Sequence, residues 1–139
     1  IVGFAEALRL TEDEREQRAA HIQPLRDKII GAVLETIPDS QLTGDLESRL
    51  PHHASFAFKG IDGNLLLTLL DAAGFACSSG SACKTGNPEP SEVMNAIGLS
   101  REWGLGSLRV TLGKDTLPDH IESFLSALPN LVKKARHLK

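Results

Sequence analysis

At 139 residues, with 41% hydrophobic and 24% charged content, the chain is long enough for one domain with its own core and has an ordinary globular composition. A formal net charge of -3, with acids and bases interspersed, leaves no basic stripe to neutralise a phosphate backbone, which argues against a nucleic-acid partner. No apolar run approaches the roughly 20 residues that span a bilayer, and the N-terminus lacks the basic flank of a secretory signal, so no membrane association and a cytoplasmic location are expected.

From Phe4 to about Ile37 the residues Phe4, Leu8, Ile22, Leu25, Ile29, Val33 and Leu34 recur mainly at helical spacing, beside a charged stretch running from Glu12 to Arg18. This predicts one long helix or two in tandem. Pro24 lies inside the pattern, and its missing N–H and its ring predict a bend or break near Ala20 to Gln23. The opening Ile1-Val2-Gly3-Phe4 carries no N-cap signal and no methionine, so the chain is expected to have been cut from something longer.

Pro38-Asp39 ends the helix, and Gln41-Leu42-Thr43 reads as a short strand. Ala54-Ser55-Phe56-Ala57-Phe58 alternates with period two between Pro51 and Gly60, which predicts a firmer one. Asp62 is placed to cap a helix through Leu65 to Ala73, with Gly74 at the left-handed C-terminal position; another strand is expected to begin at Phe75. Residues 78–90, Ser-Ser-Gly-Ser-Ala-Cys-Lys-Thr-Gly-Asn-Pro-Glu-Pro, are rich in turn formers and predict an exposed, mobile loop. A short helix from Ser91 to about Ile97, a strand from Ser107 to Leu112 and a final helix from Pro118 to about His137 follow. The sum is an α+β fold with a small, largely antiparallel sheet packed against helices.

Two cysteines six positions apart, Cys77 and Cys83, match neither a zinc site nor a disulfide framework, so both are read as reduced thiols. Cys83 sits in the small-residue loop, where access favours reactivity, and Lys84 beside it lowers the thiol pKa if its ammonium turns towards the sulfur. Cys77 is read as a packing residue. Adjacent His52 and His53 point to opposite faces of an extended chain and are read as structural, not as a metal pair; no metal is expected. His21, His120 and His137 are read as solvated, and Trp103 as a packing anchor near Arg109.

The run Ser78-Ser79-Gly80-Ser81-Ala82-Cys83, followed by Glu89-Pro90-Ser91 and by Gly106-Ser107-Leu108-Arg109-Val110-Thr111-Leu112-Gly113, resembles the catalytic-loop signature of the cysteine desulfurases, members of the class-V aminotransferase-like family. The long-loop subgroup that serves housekeeping and nitrogen-fixation iron–sulfur assembly is the one resembled. The similarity extends from the opening helix through the Ala54 to Phe58 strand and so covers nearly the whole chain. It implies that residues 1–139 are the C-terminal small domain of a fold-type I pyridoxal-phosphate enzyme, with part of the connecting helix.

The resemblance implies a reaction in which pyridoxal phosphate labilises the C–S bond of L-cysteine and the Cys83 thiolate takes the sulfur, leaving L-alanine and a Cys83 persulfide. A sulfur acceptor or an iron–sulfur scaffold protein would receive the persulfide sulfur. Arg109 matches the family arginine that grips the substrate carboxylate, a task suited to a planar guanidinium on a strand. Gly80 and Gly86 suit a loop that visits both cofactor and partner. The parent enzymes are homodimers, and their large domain supplies the Schiff-base lysine and the other cofactor contacts. None of those motifs is present here; neither Lys84 nor Lys114 is assigned that role, no cofactor-binding residue is named, and the chain alone is expected to be inactive. A free-standing persulfide-acceptor module is the rival reading, and a redox protein using Cys77 and Cys83 the third.

Overall fold

The computed structural model describes residues 1–79 and 89–138. Its elements are α1 (Val2–Thr36), β1 (Ser40–Leu42), β2 (His53–Phe58), α2 (Gly63–Ala72), α3 (Glu92–Ala96), α4 (Arg101–Gly104), β3 (Ser107–Thr111) and α5 (Pro118–His137). Among the described residues the sheet has three strands in the order β1-β2-β3, both pairings antiparallel. The α+β expectation is met.

Alternation along β2 and β3 divides the sheet into two faces. Ala54, Phe56 and Phe58 of β2 with Leu108 and Val110 of β3 enter the main core, where Ile29 and Val33 of α1, Leu66 and Leu70 of α2, and Phe124, Leu128 and Val132 of α5 meet them. Phe56, Phe58, Leu66, Leu70, Leu108 and Leu128 are fully buried. Each such side chain contributes on the order of 1.5–3 kcal/mol through burial, so this face carries most of the fold's stability.

α1 differs along its length. Its second half buries Ile22, Ile29, Ile30 and Val33, whereas Phe4 and Leu8 in the first half are exposed and the surface there is laced by Arg9 with Glu6 and Asp13 and by Arg18 with Glu14. Of one long helix or two in tandem, the structure has one: α1 is unbroken across Pro24. Proline deprives the Ala20 carbonyl of its partner, but both residues are exposed, so that oxygen is open to solvent.

Asp62 caps α2, its carboxylate accepting from the Asn64 N–H at 2.9 Å, and Gly74 follows the helix at φ 87°, both as read from the sequence. The strand expected from Phe75 reduces to a single bridge between Ser78 and Arg109. The four-residue α4 was not anticipated. The three helical histidines are exposed, yet each is bonded: His21 Nε2 to the Thr116 carbonyl at 2.9 Å, His137 Nδ1 to the Lys133 carbonyl at 2.7 Å, and His120 Nδ1 accepting the Leu117 N–H at 3.2 Å at the start of α5.

Candidate functional site around Arg109

The sheet face opposite the core carries His53, Ser55 and Ala57 of β2 opposite Thr111, Arg109 and Ser107 of β3. Ser55 and Ser107 are buried, and Arg109 is exposed. Arg109 therefore leaves a rigid strand at its midpoint, with its backbone fixed on both sides. On one side β2 pairs with it at Ser55; on the other its N–H donates to the Ser78 carbonyl at 2.6 Å and its carbonyl accepts the Ser78 N–H at 3.1 Å. Arg109 Nη2 also donates to Ser78 Oγ at 3.1 Å, which holds the guanidinium beside the start of the Ser-Ser-Gly-Ser-Ala-Cys run.

The flanks of that run are anchored at both ends. Ser79 is buried, its hydroxyl 3.5 Å from Asn64 Oδ1 on α2. C-terminal to the run, Pro90 is buried against Gly104, and Ser91 Oγ accepts the Met94 N–H at 3.2 Å as the cap of α3. The Glu89-Pro90-Ser91 part of the signature is thus a local anchor. Gly106 has the same standing: a Cβ there would lie 2.0 Å from the Phe58 carbonyl oxygen, so glycine lets β3 leave α4 against β2.

Two cavities flank Arg109. One of about 320 Å³ is lined by Ser55, Ser107 and His53 from the sheet and by Ser91, Met94 and Ile97 around α3. The other, about 460 Å³, is lined by His53, Cys77, Ser78 and Thr111. His53 and Arg109 line both. Partial burial holds the His53 pKa below the usual imidazole value, and the cations of Arg49 and Arg109, with His52, add to the effect.

Cys77 is a half-buried free thiol packed against the core, and burial pushes its pKa up to about 11. At neutral pH it is a protonated thiol, a poor nucleophile despite its place beside the cavity. Cys83 lies outside the described residues, as do Gly80, Ser81, Ala82, Lys84 and Gly86. Among the described residues, no three His, Cys, Asp or Glu side chains are grouped to hold a metal, and no lysine lines either cavity beside Arg109. The described residues therefore do not by themselves compose a pyridoxal-phosphate site, which needs a lysine amine at the cofactor aldehyde. No described helix is long and apolar enough to cross a membrane.

The sequence reading named Arg109 as a candidate; the structure adds Ser78 as its hydrogen-bond partner and His53 as a residue lining the same cavities. The signal was there in the strand alternation: His53, Ser55, Arg109 and Thr111 all fall on the polar face once β2 and β3 are paired.

Among the described residues, a strand-borne arginine is tied to the first serine of the Ser-Ser-Gly-Ser-Ala-Cys run on the outer face of a three-stranded antiparallel sheet. Residues 1–124 match the family described as aminotransferase class-V, and the chain belongs to that family. Within it the chain is similar to cysteine desulfurases. It is 40% identical over 136 residues to an IscS-like cysteine desulfurase of Mycobacterium tuberculosis, covering 97% of this chain and 35% of that protein. It is 37% identical to cysteine desulfurase IscS 1 of Archaeoglobus fulgidus, over 99% of this chain and 36% of that one. Cysteine desulfurase NifS of Azotobacter vinelandii is 34% identical over 99% of this chain and 34% of its own length. A solved NifS-like protein superposes with a TM-score of 0.81 at 25% identity, over 96% of this chain and 33% of that one. The chain thus spans about a third of the length of the curated relatives it matches.

Proposed function

We propose that residues 1–139 are the C-terminal small domain of a cysteine desulfurase, in which Arg109 binds the carboxylate of L-cysteine and Cys83 accepts its sulfur. The observation that carries this reading is the tie between Arg109 and Ser78, which holds a guanidinium, a group suited to a carboxylate, beside the first residue of the Ser-Ser-Gly-Ser-Ala-Cys run. Two N–H groups of a guanidinium match two carboxylate oxygens, and a strand backbone bonded on both sides resists displacement when substrate binds.

The overall exchange is L-cysteine plus the Cys83 thiol giving L-alanine plus a Cys83 persulfide: the substrate C–S bond breaks, an S–S bond forms, and the β-carbon gains a hydrogen. Pyridoxal phosphate, used by this family in general, would supply the electron sink for that cleavage, bound chiefly by a large domain outside this chain. The persulfide sulfur then passes to an acceptor or iron–sulfur scaffold protein, in a cytoplasmic, homodimeric enzyme. Cys77 takes no sulfur in this scheme because its thiol stays protonated.

The test is alanine formation from L-cysteine, with pyridoxal phosphate and a thiol reductant, by the enzyme that carries this chain joined to its cofactor-binding domain. Cys83→Ala is expected to abolish persulfide and alanine formation while cofactor absorbance persists. Unchanged turnover in Cys83→Ala would overturn the reading, as would an absence of alanine in a folded, cofactor-loaded wild type.

A further inference from the structure

We propose that His53 is a second binding residue for the substrate carboxylate, its imidazole donating a hydrogen bond to the anion held by Arg109. The inference rests on the carboxylate-binding reading of Arg109 and extends it to a residue that no sequence motif marks.

The geometry is that of two neighbouring strands. Arg109 is registered opposite Ser55, and His53 stands two positions along β2 on the same face, opposite Thr111. Diagonal cross-strand neighbours of this kind lie about 7–8 Å apart between backbones, within reach of two long side chains converging on one small anion. Both residues line both cavities, so a carboxylate entering either meets both. Ser78 Oγ takes one side of the Arg109 guanidinium at 3.1 Å, leaving other N–H groups for the ligand.

The charges around His53 favour this role. Arg49 Nη1 lies 3.4 Å from the His53 carbonyl on one side, Arg109 stands on the next strand, and His52 precedes it; Cys77 across the cavity is protonated. Among the described residues the charged groups acting on His53 are the cations Arg49 and Arg109, which with His52 and partial burial hold its pKa below the usual imidazole value. An incoming carboxylate reverses that balance. It accepts from the imidazole N–H and offsets the Arg109 charge, which favours protonation of His53. By linkage, carboxylate binding raises the His53 pKa and binding tightens as pH falls towards that value.

The experiment is an NMR titration of the 139-residue chain with L-alanine through the millimolar range, following the Arg109 Nε–H and the His53 Cε1–H signals across pH, with L-alaninamide as the control lacking a carboxylate. L-Alanine is expected to move the Arg109 signal and to raise the His53 pKa, and L-alaninamide to do neither. His53→Ala should weaken L-alanine binding about tenfold and remove its pH dependence, while His53→Gln, which keeps a donor, recovers most of the affinity at neutral pH. An Arg109 response with an unmoved His53 titration would overturn the role of His53 and leave the Arg109 reading standing. Silence at Arg109 would overturn both.

Discussion

The two faces of β2 and β3 are made from alternate residues of the same two strands, yet they do opposite work. On one, Ala54, Phe56, Leu108 and Val110 are buried among helices. On the other, His53, Ser55, Ser107, Arg109 and Thr111 border two cavities, one of them lined also by Val93 and Met94 of α3. The apolar face holds the strand still, and the polar face uses that stillness to aim a guanidinium. Stability and site are separated by one residue of register, so substitutions one position apart should have effects of different kinds.

The largest expected effect is on the apolar face. Phe56→Ala should destabilise the chain by about 3–5 kcal/mol, read from denaturant unfolding, because a fully buried ring leaves a cavity that its neighbours cannot fill. Gly106→Ala acts on the same pairing by inserting a Cβ 2.0 Å from the Phe58 oxygen, and should cost about 1–3 kcal/mol or more as β2 and β3 separate.

One residue from the core, Arg109→Ala should change stability by within about 0.5 kcal/mol, since the side chain is exposed. In the enzyme carrying this chain it should lower kcat/KM about a hundredfold, mainly through KM, with Arg109→Lys recovering only part because a single ammonium lacks the planar fork. An Arg109→Ala variant that unfolds, or one with full activity, would erase the contrast between the faces.

Cys77 sharpens the comparison at the border of the two faces. Its thiol should alkylate slowly in the folded chain near pH 8, and faster once denatured. Because its folded pKa is raised from 9.0 to about 11, the folded state binds more protons in that window; the associated stability is present below pH 9 and is lost as pH rises through 11. The smallest effect belongs to the exposed half of α1: Arg9→Ala, which removes solvent-screened ion pairs with Glu6 and Asp13, should leave the denaturant midpoint unchanged.

Much of the fold was legible in the residues. Period-two alternation marked β2, Asp62 and Gly74 bracketed α2, and Ser91 announced α3, because each is a local preference that the packed chain had no reason to override. The residues around Pro24 left open one helix or two, because whether a proline interrupts a helix depends on which side its orphaned carbonyl faces, and Ala20 is exposed. The helical histidines are exposed, as read from the sequence; the bond from His21 to the Thr116 carbonyl joins residues that only the folded chain brings together.

By itself the sequence determined the α+β class, most of the order of elements and the family membership announced by the Ser-Ser-Gly-Ser-Ala-Cys run, all of which reside in residue types and short spacings. Only the tertiary structure decided that Ser78 grips Arg109, that His53 shares its cavities, and that Cys77 is held protonated. Those are statements about distance and burial between residues remote in the chain. Strand pairing sets them, because the register of β2 on β3 decides which side chains meet on a face.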